Sequence, residues 1–358
     1  MMKREYELKN IQGLRGIAIA MIFVAHTGSF LTQNEQVQKF LSQFGGYGVT
    51  LFLTISGLLL ADKMQERVYN GTIVEGLKYA WNKIRKLYWL HFLMWIAVMG
   101  IDYFAGRDFD AKQIIFSIFN LTLTQDYIPF SGIINSFNGP SWYLSMSTFL
   151  WLLTPWFVAK VEKVQLSPPK IVACISGILL LRTIWLTIAK WVIGFIDSHY
   201  AWINVSWFAD WLTYFCPLLC FGTYILTFFV RKLYKTCKAN EKMCMFSIAI
   251  LIFVCKLCRD FWQSGTFMIL AITIIVSFLA DDGNKVIDFA LQNKPLSNIG
   301  NLSSYIFLIH GPVNFALRDF GAAIPVPIKF FVSVLITLLL SIIATRAYKG
   351  YVMKKEMK

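Results

Sequence analysis

IVACISGILLLRTIWL, residues 171–186, carries one charge, Arg182, and FMILAITIIVSFL, residues 267–279, carries none. A helix needs about 20 predominantly apolar residues to cross a bilayer. No water is available there, so the backbone must satisfy its own amides, and helices do so within one segment. Working outward from these two stretches, the same reading finds ten along the 358-residue chain: 14–31, 45–62, 87–105, 139–158, 171–193, 207–229, 243–259, 265–280, 298–317 and 326–346. The expected fold is all-α, a polytopic integral membrane bundle of about ten helices.

Composition agrees. Hydrophobic residues make up 57% of the chain and charged residues 15%, against about 25% charged for soluble domains. The segment before Lys9 is charged, and no small-residue cleavage site follows it, so the first apolar stretch is expected to be retained as a span. Stretches between the spans are too short to bury a core of their own. One membrane-embedded domain over residues 1–358 is expected.

A net charge of +14 raises the question of nucleic acid, but its distribution answers it. Lys and Arg fall in short loops between apolar runs, as in Lys83-Ile84-Arg85-Lys86 and Arg231-Lys232. Cytoplasmic loops collect such residues. Counted that way, Arg107, Lys112, Arg259 and Arg318 are the few on the outer side. Both termini are then cytoplasmic, the location is the cytoplasmic membrane of the cell, and no nucleic-acid partner is expected. The cysteines lie mostly in apolar runs. Cys255 and Cys258 have redox-motif spacing but no second pair or nearby histidine, so packing is expected, with no disulfide and no metal. Between the third and fourth spans, 106–138 is the longest outer stretch. Its apolar middle, Ile114 to Leu123, reads as an interfacial or re-entrant helix.

Ionisable residues inside spans are expensive and mark function. His26 and His310 both sit in apolar runs, in the outer half of helices running outward. Arg15 precedes His26 by eleven residues, which returns to within ~20° of the same helix face after a rise of ~16 Å. A groove along that stripe can hold an elongated donor, anionic end at Arg15 and reactive end at His26. Ser303 and Asn314 share the face of His310. The bland readings are a helix-bridging histidine and a snorkelling arginine. His91, early in a span, and His199, in an outer loop, read as ordinary.

Five segments together resemble the acyltransferase-3 family of bacterial membrane proteins. LRGIAIAMIFVAH (14–26) fits an Arg, ten residues, His motif. GVTLFLTISGLLLA (48–61), KIRKLY (83–88), SWYLSMSTFLWLLTP (141–155) and IGNLSSYIFLIHGPV (299–313) are similar to further family segments, in the family's order. The resemblance implies an acyltransferase that uses acyl-CoA, most often acetyl-CoA, and acylates a cell-surface or lipid-linked carbohydrate. By the same resemblance Arg15, Lys83, Arg85 and Lys86 bind the donor's phosphates. His26 acts as general base or as a transient acyl carrier, and His310 orients it or the acceptor hydroxyl. Trp142, Tyr143 and Ser56 are substrate-side candidates, with anchoring and close helix packing as their bland alternatives. The chain departs from the family pattern at Ser147, where many members have glutamate, and at Phe307, where they have tyrosine. No fused SGNH-type domain is read, so any extracytoplasmic partner is expected to be a separate protein. Two other readings compete: a transporter or flippase for a lipid-linked sugar, and a non-catalytic partner in polysaccharide export.

Overall fold

The computed structural model describes residues 9–64, 68–107, 110–200, 205–257 and 261–356. Expectations touching Cys258 and Arg259, and the segment before Lys9, lie outside these residues. Among the described residues the regular secondary structure is all helical, with no strand. The helices are α1 (Lys9–His26), α2 (Gly28–Leu31), α3 (Glu35–Lys63), α4 (Ile73–Phe104), α5 (Ala111–Leu121), α6 (Ser131–Ile134), α7 (Trp142–Glu162) and α8 (Pro168–His199). They continue with α9 (Ser206–Asp210), α10 (Pro217–Thr236), α11 (Ala239–Leu257), α12 (Phe261–Leu279), α13 (Lys285–Leu291), α14 (Lys294–Phe320) and α15 (Val326–Glu356).

The protein is a multi-pass membrane helix bundle. Among the described residues six helical runs are long and apolar enough to cross a bilayer: α3, α4, α7 with the turn before it, α8, the run ending in α10, and α15. The outer faces of the bundle are apolar, as Leu180, Leu181 and Trp191 on α8 and Phe331, Leu335 and Ile343 on α15 show. Water would make such faces costly, and lipid does not. Cys255 belongs to the same class of surface: it is a free thiol exposed on α11 rather than packed.

Several helices begin or end away from the hydropathy boundaries because capping, not hydropathy, sets helix ends. α4 starts fourteen residues before position 87, where Thr72 and Glu75 form a reciprocal capping box. The first stretch stops at His26 rather than running to 31. Thr27 leaves helical geometry there, and its hydroxyl donates to Phe23 O at 2.7 Å.

α1 packs between α3 and α14 at the centre of the bundle. The approach to α14 is close enough that a Cβ on Gly300 would lie 1.8 Å from Gln12 O. Only glycine permits that backbone contact, and it sets the two histidine-bearing helices side by side.

Arg231, which reads as part of an inner basic loop, is fully buried. It makes a two-point pair with Asp62, donates to Asp281 Oδ1 at 2.7 Å and to Ser277 O at 2.9 Å, and so ties α3, α10 and the end of α12 together. A buried guanidinium is tolerable only when paired in this way.

On one face of α4, Tyr88, His91 and Trp95 hydrogen-bond to the carbonyls of Leu121, Asn120 and Ser117 at 3.0–3.1 Å. The chain direction of α5 is therefore opposite to that of α4, and its carboxyl end lies beside the middle of α4. This places the segment after α5 inside the bundle. Non-helical backbone is tolerated at such depth where protein covers it.

Candidate active site

The geometry of the site starts with two rings. His26 closes α1, and His310 lies fully buried within α14. His26 Nδ1 and His310 Nε2 are 2.8 Å apart, and the rings stack with 5.0 Å between centroids. His310 Nδ1 lies 3.1 Å from Ile306 O. A carbonyl only accepts, so His310 Nδ1 carries a proton and donates it to that oxygen. In the neutral pair His310 Nε2 is then an acceptor, His26 Nδ1 donates to it, and the lone pair of His26 is on Nε2. The assignment follows from the hydrogen-bond network. Among the described residues His26 Nε2 has no partner, and the His26 side chain is exposed.

Beside the pair lies a cavity of about 660 Å³, a size suited to a small-molecule ligand. Arg15, Ser56, Lys63, Lys83, Lys86, Tyr143 and Ser147 lie on its wall, and no described residue there is a carboxylate. A recess of about 510 Å³ adjoins it through Tyr69, Tyr79, Lys83 and Lys86, and adds Lys78, Arg85 and Glu75. Arg15 Nη2 is 3.4 Å from Ser304 Oγ, and Lys83 sits over the Tyr79 ring. Several cations facing a low-dielectric hollow make a receptor for an anionic molecule.

The cavity brings together Arg15, Ser56, Lys83, Lys86 and Tyr143, and Arg85 lies in the adjoining recess. His26 and His310 are not on its wall. Phe307 is, with its ring 5.5 Å from Tyr143 and 5.9 Å from His310, so it separates the cavity from the histidine pair. Trp142 also lies off the cavity: it is 7% exposed and packs against Phe215 at 4.6 Å and Tyr214 at 5.6 Å. Ser147, where the resemblance calls for a carboxylate, lines the cavity and donates to Tyr143 O at 2.7 Å.

The segment between α5 and α7 adds groups that sequence reading passes over. Asn120 and Gln125 donate to Ser141 Oγ, each at 3.0 Å. Asn138 donates to Leu308 O, two residues before His310, at 2.9 Å. Asp126 is fully buried, and neither carboxylate oxygen has a hydrogen-bond partner among the described residues. Burial pushes its carboxyl well above the usual range. Polar residues in a long aperiodic stretch read as solvated loop. The usable signal was Pro312, which leaves a helix carbonyl in need of a donor from elsewhere.

Comparisons with known proteins point the same way. A family model described as "Acyltransferase domain" matches residues 8–346. "Acyltransferase MdmB" of Streptomyces mycarofaciens is 24% identical over 231 residues, covering 58% of this chain and 54% of that protein. The match therefore spans about half the length of that relative. No solved structure matches the chain.

Proposed function

The chain belongs to the acyltransferase-3 family of integral membrane acyltransferases, and from that premise we propose that it transfers an acyl group, acetyl in the first instance, from acyl-CoA to a hydroxyl of a cell-surface or lipid-linked carbohydrate. The carrying observation is a cation-lined cavity whose inner wall, at Phe307, separates it from a histidine pair with one unpartnered ring nitrogen.

Acyl-CoA is a polyanion at one end and a thioester at the other. In this reading Lys78, Lys83, Arg85 and Lys86 take the nucleotide phosphates, with the recess facing the cytoplasm, as the distribution of Lys and Arg supports. Arg15 lies deeper, and guanidinium suits phosphate or carbonyl oxygen by paired donation. The thioester then lies toward Phe307 and His26.

His26 Nε2 removes the proton from the acceptor hydroxyl as its oxygen attacks the thioester carbon. The tetrahedral adduct collapses, the C–S bond breaks, and the thiolate leaves with the proton from imidazolium. His310, holding His26 Nδ1, steadies the ring and the charge that forms on it, as the third member does in triads. If His26 instead carries the acyl group, Nε2 itself attacks the thioester, the C–S bond breaks and CoA leaves as thiolate; the hydroxyl then attacks the acyl group, the acyl–Nε2 bond breaks, and the hydroxyl proton passes to the thiolate. Trapping an acyl-enzyme separates these routes.

The test uses purified protein in nanodiscs with labelled acetyl-CoA and membrane glycan from the host, comparing wild type with His26→Ala. The proposal expects acetyl-CoA binding in both and CoA release in wild type alone. A wild type that neither binds nor consumes acetyl-CoA or a longer acyl-CoA would overturn it.

A further inference from the structure

We infer that Asn138 is a positioning residue for the histidine pair: its side-chain amide supplies the hydrogen bond that Pro312 removes from α14, and so holds the turn that carries His310. The inference rests on the catalytic reading of that pair. In an unbroken helix Leu308 O would accept from the main-chain N–H of residue 312. Residue 312 is proline and has none. Both the carbonyl and its surroundings are buried, with Leu308 1% exposed, so water does not take the place of the donor. Asn138 Nδ2 does, at 2.9 Å.

Three features make this contact specific. Gly311 lets the loop come close: a Cβ there would lie 2.8 Å from Asn138 Oδ1 and 3.3 Å from the Pro140 ring. The backbone before Asn138 is bent to deliver it, since Phe137 takes φ 52°, the left-handed region that a bulky side chain seldom adopts. The loop is also tied on its other side, where Ser141 N and Asn120 Nδ2 both donate to Asn138 O. The run His310-Gly311-Pro312 thus has a division of labour. The proline frees a carbonyl, the glycine makes room for the group that bonds it, and the histidine is carried on the turn so held. Ile306 O, which orients His310 Nδ1, belongs to the same turn. Loosening Leu308 O would move the ring relative to His26, and displacements of about 1 Å can lower turnover by up to ~100-fold.

Asn138 does not line the cavity, so donor binding and turnover should part company. Asn138→Ala is expected to lower kcat by about tenfold or more, while the Kd for acetyl-CoA stays at the wild-type value. Adding Pro312→Ala returns an N–H to position 312, so the double variant is expected to recover most of the lost kcat. In the Pro312→Ala background Asn138→Ala should change little, and that comparison holds even if Asn138→Ala alone does not fold. Wild-type kcat in Asn138→Ala, or a loss that Pro312→Ala does not restore, overturns the inference. A readout independent of turnover is the ¹⁵N spectrum of histidine-labelled protein. Asn138→Ala should shift the imidazole nitrogens of His310 and His26 and leave His199 unchanged; unshifted signals overturn the inference. If wild type consumes no acyl-CoA, the functional reading falls, and the spectrum still decides the role of Asn138.

Discussion

The rings of Phe307 and Tyr143 meet edge to face, 5.5 Å between centroids, at the inner end of the cationic cavity. Phe307 also has His310 5.9 Å away, so the cationic cavity and the histidine pair are neighbours through this aromatic side chain.

Thinning that division should let water reach an activated thioester. Phe307→Leu is expected to raise CoA release without added glycan severalfold, by opening the cavity toward the exposed His26 and the water around it. The measurement is acetyl-CoA hydrolysis in nanodiscs, and an unchanged rate would mean that Phe307 does not guard the path.

Arg15 is half-buried, whereas Lys63, Lys83 and Lys86, the other cations on the cavity wall, are exposed. Replacing it by alanine removes a charge-assisted contact worth roughly 1.5–3 kcal/mol, so acetyl-CoA binding should weaken by about 10- to 100-fold. Lys83→Ala and Lys86→Ala, nearer the recess, should weaken it less, and by an amount that shrinks as salt rises. Calorimetry at two ionic strengths checks both statements. Equal losses at all three positions would argue against a deep site for Arg15.

Asp126 holds a buried carboxyl without a hydrogen-bond partner among the described residues. Burial raises its pKa in the folded state. Below the ordinary carboxylate range both states are protonated and the group adds no pH dependence to stability. Above that range the unfolded chain ionises first, so stability is lost as pH climbs toward the raised value. Asp126→Asn should therefore raise the unfolding free energy at pH 7 by an amount on the order of 1–3 kcal/mol, read as a higher Tm, and the gain should shrink toward pH 4. No gain at pH 7 would show that Asp126 finds a partner in the membrane.

Arg231 depends on two carboxylates. Asp62→Asn leaves the buried guanidinium with Asp281 alone, and losing one partner of a buried pair costs up to about 3–5 kcal/mol. With Asp281 still in place, a loss of about 1–3 kcal/mol is expected in thermal unfolding. Arg231→Met should cost less than Asp62→Asn, because it removes the buried charge itself. The opposite order would contradict this account.

Much of the molecule was legible in the order of residues. Apolar runs between short basic loops determine a membrane helix bundle, because each span satisfies its own backbone and no distant partner is needed. The spacing of Arg15 and His26 is likewise local arithmetic along one helix. His26 and His310, by contrast, are 284 residues apart in the chain, and their contact needs α1 and α14 to touch, which the Gly300 approach permits. Four further results belong to the tertiary structure alone. Phe307 stands between cavity and histidines, Trp142 packs away from the cavity, Arg231 is buried between two aspartates, and Asn138 bonds a carbonyl that a proline freed. Each joins side chains from different helices or loops. Hydropathy and spacing report what one segment requires of its surroundings; which segment meets that requirement is decided only when the helices pack.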